Sequence, residues 1–88
     1  MTLRIEESSD GERTVLRLSG RIQEEDMEQL LGHIRRSTHA IALDLADVRL
    51  VDVATVRFLS FCEAEGTELL HCAPYIREWM KRERARGQ

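Results

Sequence analysis

The segment from Ala40 to Glu65, AIALDLADVRLVDVATVRFLSFCEAE, constrains the fold more than any other part of the chain. Its opening residues Ile41, Ala42, Leu43 and Leu45 are too apolar for a surface strand. The run has the length of a strand buried on both faces between helices. Asp44 and Asp47 punctuate its end, and a second short apolar piece, Val48 to Val51, follows. Asp52 then stands where a helix N-cap belongs. A carboxylate there accepts hydrogen bonds from the free N–H groups of the first turn and is favoured by the helix dipole. From Val53 to Glu65 the pattern is helical, and Gly66 is a natural C-terminal stop. A buried strand, a tight turn and an acid-capped helix make a corner with outward-pointing N–H groups. That corner is the candidate functional site.

The flanking segments supply the rest of the sheet and its cover. Leu3 to Glu7 and Thr14 to Leu18 alternate apolar and polar residues and are joined by the turn Ser8-Ser9-Asp10-Gly11, which reads as a hairpin. Glu24 to Ser37 is an amphipathic helix, because Met27, Leu30, Leu31 and Ile34 recur at helical spacing. Thr38-His39 connects it to the central strand. Glu68 to Cys72 reads as a short strand around Leu69 and Leu70. Pro74 opens a last helix, Tyr75 to about Arg84, with Ile76, Trp79 and Met80 on one face. The order ββαβαβα predicts an α/β fold with a mixed sheet, an N-terminal hairpin at one side and helices covering the parallel pairs.

At 88 residues the chain makes one domain, with a core near the lower practical limit for independent folding. Net charge is −3, which gives no case for nucleic-acid binding. Residues 77–86 hold five basic and two acidic residues, a local +3 that reads as a solvated helix end suited to the dipole. No apolar run spans a bilayer and MTLRIEESSD lacks the apolar region of a signal peptide, so no membrane insertion and a cytoplasmic location are expected. Cys62 and Cys72 lack a CxxC spacing and read as small apolar fillers. His71 beside Cys72 finds no second cluster to complete a metal site.

Catalytic patterns are equally poor. The glycines do not fall in a phosphate-loop spacing, and His33, His39 and His71 are scattered over a helix, a loop and a strand. Asp44, Asp47 and Asp52 invite a Mg²⁺ site. The simpler reading is that Asp52 is a cap and the other two satisfy loop N–H groups. Neither a cofactor nor catalysis is expected.

LDLADVRLVDVATVRFLSF is similar to the signature of STAS domains, the sulfate-transporter and anti-anti-sigma-factor antagonist family. In that family a strand and a short connector lead to Asp-Ser-Ser-Gly-Leu opening a helix. Gly20-Arg21-Ile22 resembles the Gly-x-Leu-Asp at the end of the family's second strand, with Gln23 in place of the aspartate. The resemblance covers nearly the whole chain, residues 1–88, and implies a single STAS-like domain without the last strand and helix of the family.

The departures define the site. The serine that a kinase-like anti-sigma factor phosphorylates in the family corresponds to Ala54, which has no hydroxyl; the neighbouring positions are Val53 and Thr55. Thr55 is the weak alternative acceptor, turned by about 100° from the expected direction. A phosphate here would add about −2 charge beside Asp52 and repel an acidic or apolar partner. Without one, the docking surface stays in its unmodified state. An aromatic, Phe58, beside Arg57 suits a protein interface, although Phe58 and Phe61 equally suit an enlarged core. The resemblance therefore implies a partner-binding corner of Asp52, Val53, Ala54, Thr55, Arg57 and Phe58. It implies a protein partner: an anti-sigma factor of the kinase type, or the ATPase of a lipid-exporting ABC system as for small STAS subunits. A nucleotide or lipid at the start of the Val53 helix is a third option, and a homodimer would cover an apolar sheet edge.

Overall fold

The chain runs through β1 (Arg4–Ser9), β2 (Arg13–Ile22), a 3₁₀ turn (Glu24–Asp26), α1 (Met27–Arg36), β3 (Ala40–Val51), α2 (Val53–Ala64), β4 (Glu68–Leu70) and α3 (Pro74–Arg86). The computed structural model describes residues 3–9, 11–37 and 39–86. Asp10 of the expected turn and Thr38 of the expected connector lie outside them. The order ββαβαβα is the expected one. One four-stranded sheet has the order β1-β2-β3-β4. The β1–β2 pair is antiparallel, whereas β2–β3 and β3–β4 are parallel.

One face of the sheet is the core. Leu16 lies opposite Leu43, and Leu43 opposite Leu69, so three adjacent strands present leucine at one level. These pack in a single cluster with Leu30 of α1, Val56 and Leu59 of α2, and Ile76 and Met80 of α3. α1 and α2 thus share one side of the sheet, as two successive right-handed parallel crossovers in the same direction require, and Ile76 and Met80 bring α3 to the same core. Fully burying each such aliphatic side chain contributes about 1.5–3 kcal/mol.

The other face is open, which corrects the expectation of a strand buried on both sides. Val15, Ala42 and Glu68 lie side by side there, and the Arg13–Glu68 ion pair links β2 to β4 across β3. Arg17 pairs with Asp47 at 3.1 Å on the same side. Ala42 is small enough to be buried under this layer without a helix above it.

The central strand does not end at its acidic residues. β3 is continuous over twelve residues. Asp44 and Asp47 direct their carboxylates to solvent-side partners, so they interrupt the apolar pattern and leave the ladder intact. Register shifts at Arg17/Ser19 and Gly20/Arg21 mark the bend instead. Gly20, at φ +91°, supplies a left-handed conformation there that costs glycine nothing. β2 consequently runs on to Ile22, four residues past its expected end.

Helix ends follow their local chemistry. The Gln23 N–H donates to Asp26 Oδ2 at 2.9 Å while the Asp26 N–H donates to the Gln23 carbonyl at 2.9 Å, which opens the α1 region as a 3₁₀ turn. α2 closes in a Schellman arrangement: the Thr67 N–H reaches the Cys62 carbonyl at 2.9 Å, with Gly66 at φ +102°. β4 stops at Leu70, short of Cys72, because His71 turns into the left-handed region at φ 56°.

Candidate docking site

Asp52 organises the corner between β3 and α2. Its Oδ1 accepts the Thr55 N–H at 2.9 Å, the N-cap bond expected from the sequence. Its Oδ2 accepts the Glu24 N–H at 3.0 Å, so the same side chain also holds the start of the α1 region. Burial opposes ionisation of Asp52, but the Thr55 hydroxyl and the Thr55 and Glu24 N–H groups outweigh it and keep the carboxyl below its ordinary value. Both oxygens are engaged within the chain.

Thr55 faces inward, a correction to its place on the corner's surface. The residue is 0 % exposed. Its hydroxyl lies 2.9 Å from the Ile22 carbonyl oxygen and 2.7 Å from Asp52 Oδ1, two acceptors for one proton. The hydroxyl is not at the surface while α2 is folded. Threonine here joins the end of β2 to the start of α2.

The remaining corner residues do face outward. Val53 is exposed in the first turn. Ala54 is half-buried and lines an open groove of about 660 Å³ between the 3₁₀ turn with α1 on one side and α2 on the other. Phe58 lies in the groove wall while also packing against the core, which joins the two readings of that residue. Phe61, one further turn along, lines the same groove and is 57 % exposed. Met27 and Leu31 form the opposite apolar wall.

Charged residues edge the groove. Glu24 and Glu28 stand on the α1 side. Arg57 stands on the α2 side, where its Nε donates to Glu83 Oε1 of α3 at 3.0 Å. The sequence placed Arg57 and Phe58 at the corner but left Phe61, Met27 and Leu31 out of it. The available signal was breadth: Met27, Leu30, Leu31 and Ile34 cover more of α1 than one core contact needs, and only Leu30 is fully buried.

The three aspartates do not converge on a cation. Asp44 accepts the Ala46 N–H at 3.0 Å and meets His71 Nδ1 at 3.1 Å; Asp47 pairs with Arg17; Asp52 caps α2. Among the described residues there is no cluster of metal-ligating side chains. Nor is any helix among them long and apolar enough to cross a membrane. The basic end of the chain is more than a solvated tail, since Arg77 and Arg84 both hold Glu63 of α2 at 2.7 Å.

No family model matches the sequence, and no curated protein matches it. Solved structures do. An anti-sigma-factor antagonist STAS domain from Rhodobacter sphaeroides is similar at TM-score 0.58 and 18% identity, over 78% of this chain and 86% of that one. A protein of the DUF3478 family with a SpoIIAA-like fold, from Shewanella loihica PV-4, is similar at TM-score 0.52 and 15% identity, over 99% and 80%. Mglu is similar at TM-score 0.58 and 22% identity over 73% of this chain, which spans 18% of that protein's length. Identities this low speak to architecture. Together with the observed order of strands and helices, they give this chain the SpoIIAA-like fold of STAS domains.

Proposed function

We propose that this chain is a non-catalytic protein-interaction domain, of the anti-sigma-factor-antagonist kind, that docks its partner on the groove between α1 and α2. The observation that carries this reading is Phe61, an aromatic side chain 57 % exposed at the mouth of an apolar groove. Large aromatic residues presented beside other apolar side chains are characteristic of binding hot spots. Val53 and Ala54 extend the surface toward the Asp52 corner, and Asp52 and Thr55 act from beneath by fixing the two helix starts. The STAS neighbour from Rhodobacter sphaeroides, an anti-sigma-factor antagonist, supports the same class.

Binding in this reading is constitutive. Ala54 occupies the phosphoacceptor position of the resemblance and carries no hydroxyl, while the Thr55 hydroxyl is buried. Control then comes from the amount of protein present.

The test is affinity capture from the native host with the wild-type chain and with Phe61→Glu. Phe61 is the better probe than Phe58, whose replacement by a charge would also disturb the core. A specific protein retained by the wild type and lost with Phe61→Glu is the expected result. Its identity, an anti-sigma factor or an ABC ATPase, assigns the pathway. Capture of nothing that depends on Phe61 would remove the reading.

A further inference from the structure

The two lips of the groove differ in charge. Glu24, Glu25 and Glu28 are exposed on and beside the α1 lip, and none of them has an ion-pair partner among the described residues. Carboxylates at a helix start are favoured by the dipole, yet Asp26 already serves the first turn here through Gln23. The α2 lip carries Arg57, 68 % exposed, which shares the carboxylate of Glu83 with Arg86. The groove therefore sets an apolar surface beside a negative α1 lip, with a single arginine on the opposite lip.

Shape narrows the occupant further. The α2 wall is set by Ala54, Phe58 and Phe61, spaced i, i+4, i+7, a span of about 10 Å or two helical turns. Both walls are helical surfaces, and neither offers a free strand edge for pairing. An open furrow of this kind takes an amphipathic helix whose apolar side chains recur at the same spacing.

We propose that the partner element is a basic amphipathic helix. Its apolar stripe seats on Leu31, Phe58 and Phe61, and its Lys or Arg residues flank Glu24 and Glu28. This rests on the groove being the docking face, as argued above, and adds the chemistry of what docks. An anionic membrane or a nucleic acid would meet the same carboxylates unfavourably.

The test uses fluorescence anisotropy with two labelled helical peptides that share leucines at i, i+3, i+4 and i+7. One carries lysine along one flank of that stripe and its twin carries glutamate there. The wild-type chain is expected to bind the lysine peptide about tenfold more tightly than the glutamate peptide, as a few exposed charge pairs allow. The preference should shrink with added salt. In Glu24→Lys/Glu28→Lys it should invert, in Glu24→Gln/Glu28→Gln it should vanish, and Phe61→Glu should weaken both peptides. The urea midpoint of each variant is measured alongside, and the glutamine pair carries the test if charge reversal unfolds the chain.

Equal binding of the two peptides, binding of neither, or indifference to Phe61→Glu would overturn the inference. So would Phe61-dependent flotation on phosphatidylglycerol vesicles with no peptide binding. The two levels fail separately. A native partner that depends on Phe61 but ignores reversal of Glu24 and Glu28 would sink the basic helix and leave the docking face standing. Absence of any Phe61-dependent partner would sink the docking face itself.

Discussion

The carboxylate of Asp52 accepts the backbone N–H of Glu24 at 3.0 Å across 28 residues of sequence. Its other oxygen caps α2 through Thr55. One side chain thus fixes the starts of the two helical walls between which the groove opens. The proposed docking face inherits its geometry from this bond as much as from the aromatic residues on display.

Replacing Asp52 by alanine removes both attachments. A lost N-cap costs about 1 kcal/mol, and the Glu24 N–H adds a further share of similar size when left without its charged acceptor. A fall in the urea midpoint equivalent to about 1–3 kcal/mol, with unchanged slope, is expected from chemical denaturation. Asp52→Asn, which keeps one acceptor oxygen, should fall between the two.

Thr55→Val keeps the volume of the buried side chain and deletes its donor. The Ile22 carbonyl then loses its side-chain partner, at a cost of about 1–3 kcal/mol, whereas Thr55→Ser should recover much of it. Combined with Asp52→Ala the loss should be less than additive, because the two side chains touch. Treatment of the folded chain with a serine/threonine kinase should leave Thr55 unmodified by mass spectrometry.

Acid should loosen the docking of α3. The Arg77 guanidinium holds the Glu63 carboxyl below its ordinary value of 4.5, against the opposing pull of burial and with help from Arg84. A depressed carboxyl pKa contributes stability that is complete above the unfolded value and is lost as pH falls through the folded one. Trp79, on α3 and packed against the core, reports the event by fluorescence. Its emission should shift as pH drops below about 4.5, and Glu63→Gln should make α3 docking weaker at neutral pH and flatter with pH in that window.

Burial, reinforced by Glu65, pushes the Cys62 thiol up to about 11. Thiolate is the reactive form, so Cys62 should resist iodoacetamide at pH 8 until the chain unfolds. Cys72, half-buried and also raised by burial, should react before it. Peptide mapping after timed alkylation checks the order. Rapid labelling of Cys62 in the native chain would mean that α2 opens locally.

Much of the architecture was legible because it is written in short-range patterns. Asp52 before a helical run, Gly66 after it and Pro74 at the next start each have a local mechanism, and the structure places all three in those roles. The order of strands and helices followed from them. What escaped depends on which face a residue occupies. Asp44 and Asp47 resembled a strand end because a sequence does not say that one side of β3 has no helix over it. The local hydrogen bonding of Thr55 was legible, but its second acceptor, the Ile22 carbonyl, lies 33 residues away and was not. The groove escaped for the same reason, since Leu31 and Phe61 become neighbours only when α1 and α2 lie side by side on the sheet.

The most direct measurement of the central claim is an NMR titration of isotope-labelled chain with the captured partner. Shifts should concentrate on Met27, Leu31, Ala54, Phe58 and Phe61, with Arg17, Asp44 and Glu68 on the open sheet face unmoved. Shifts confined to the open face, with the residues between α1 and α2 silent, would contradict the account.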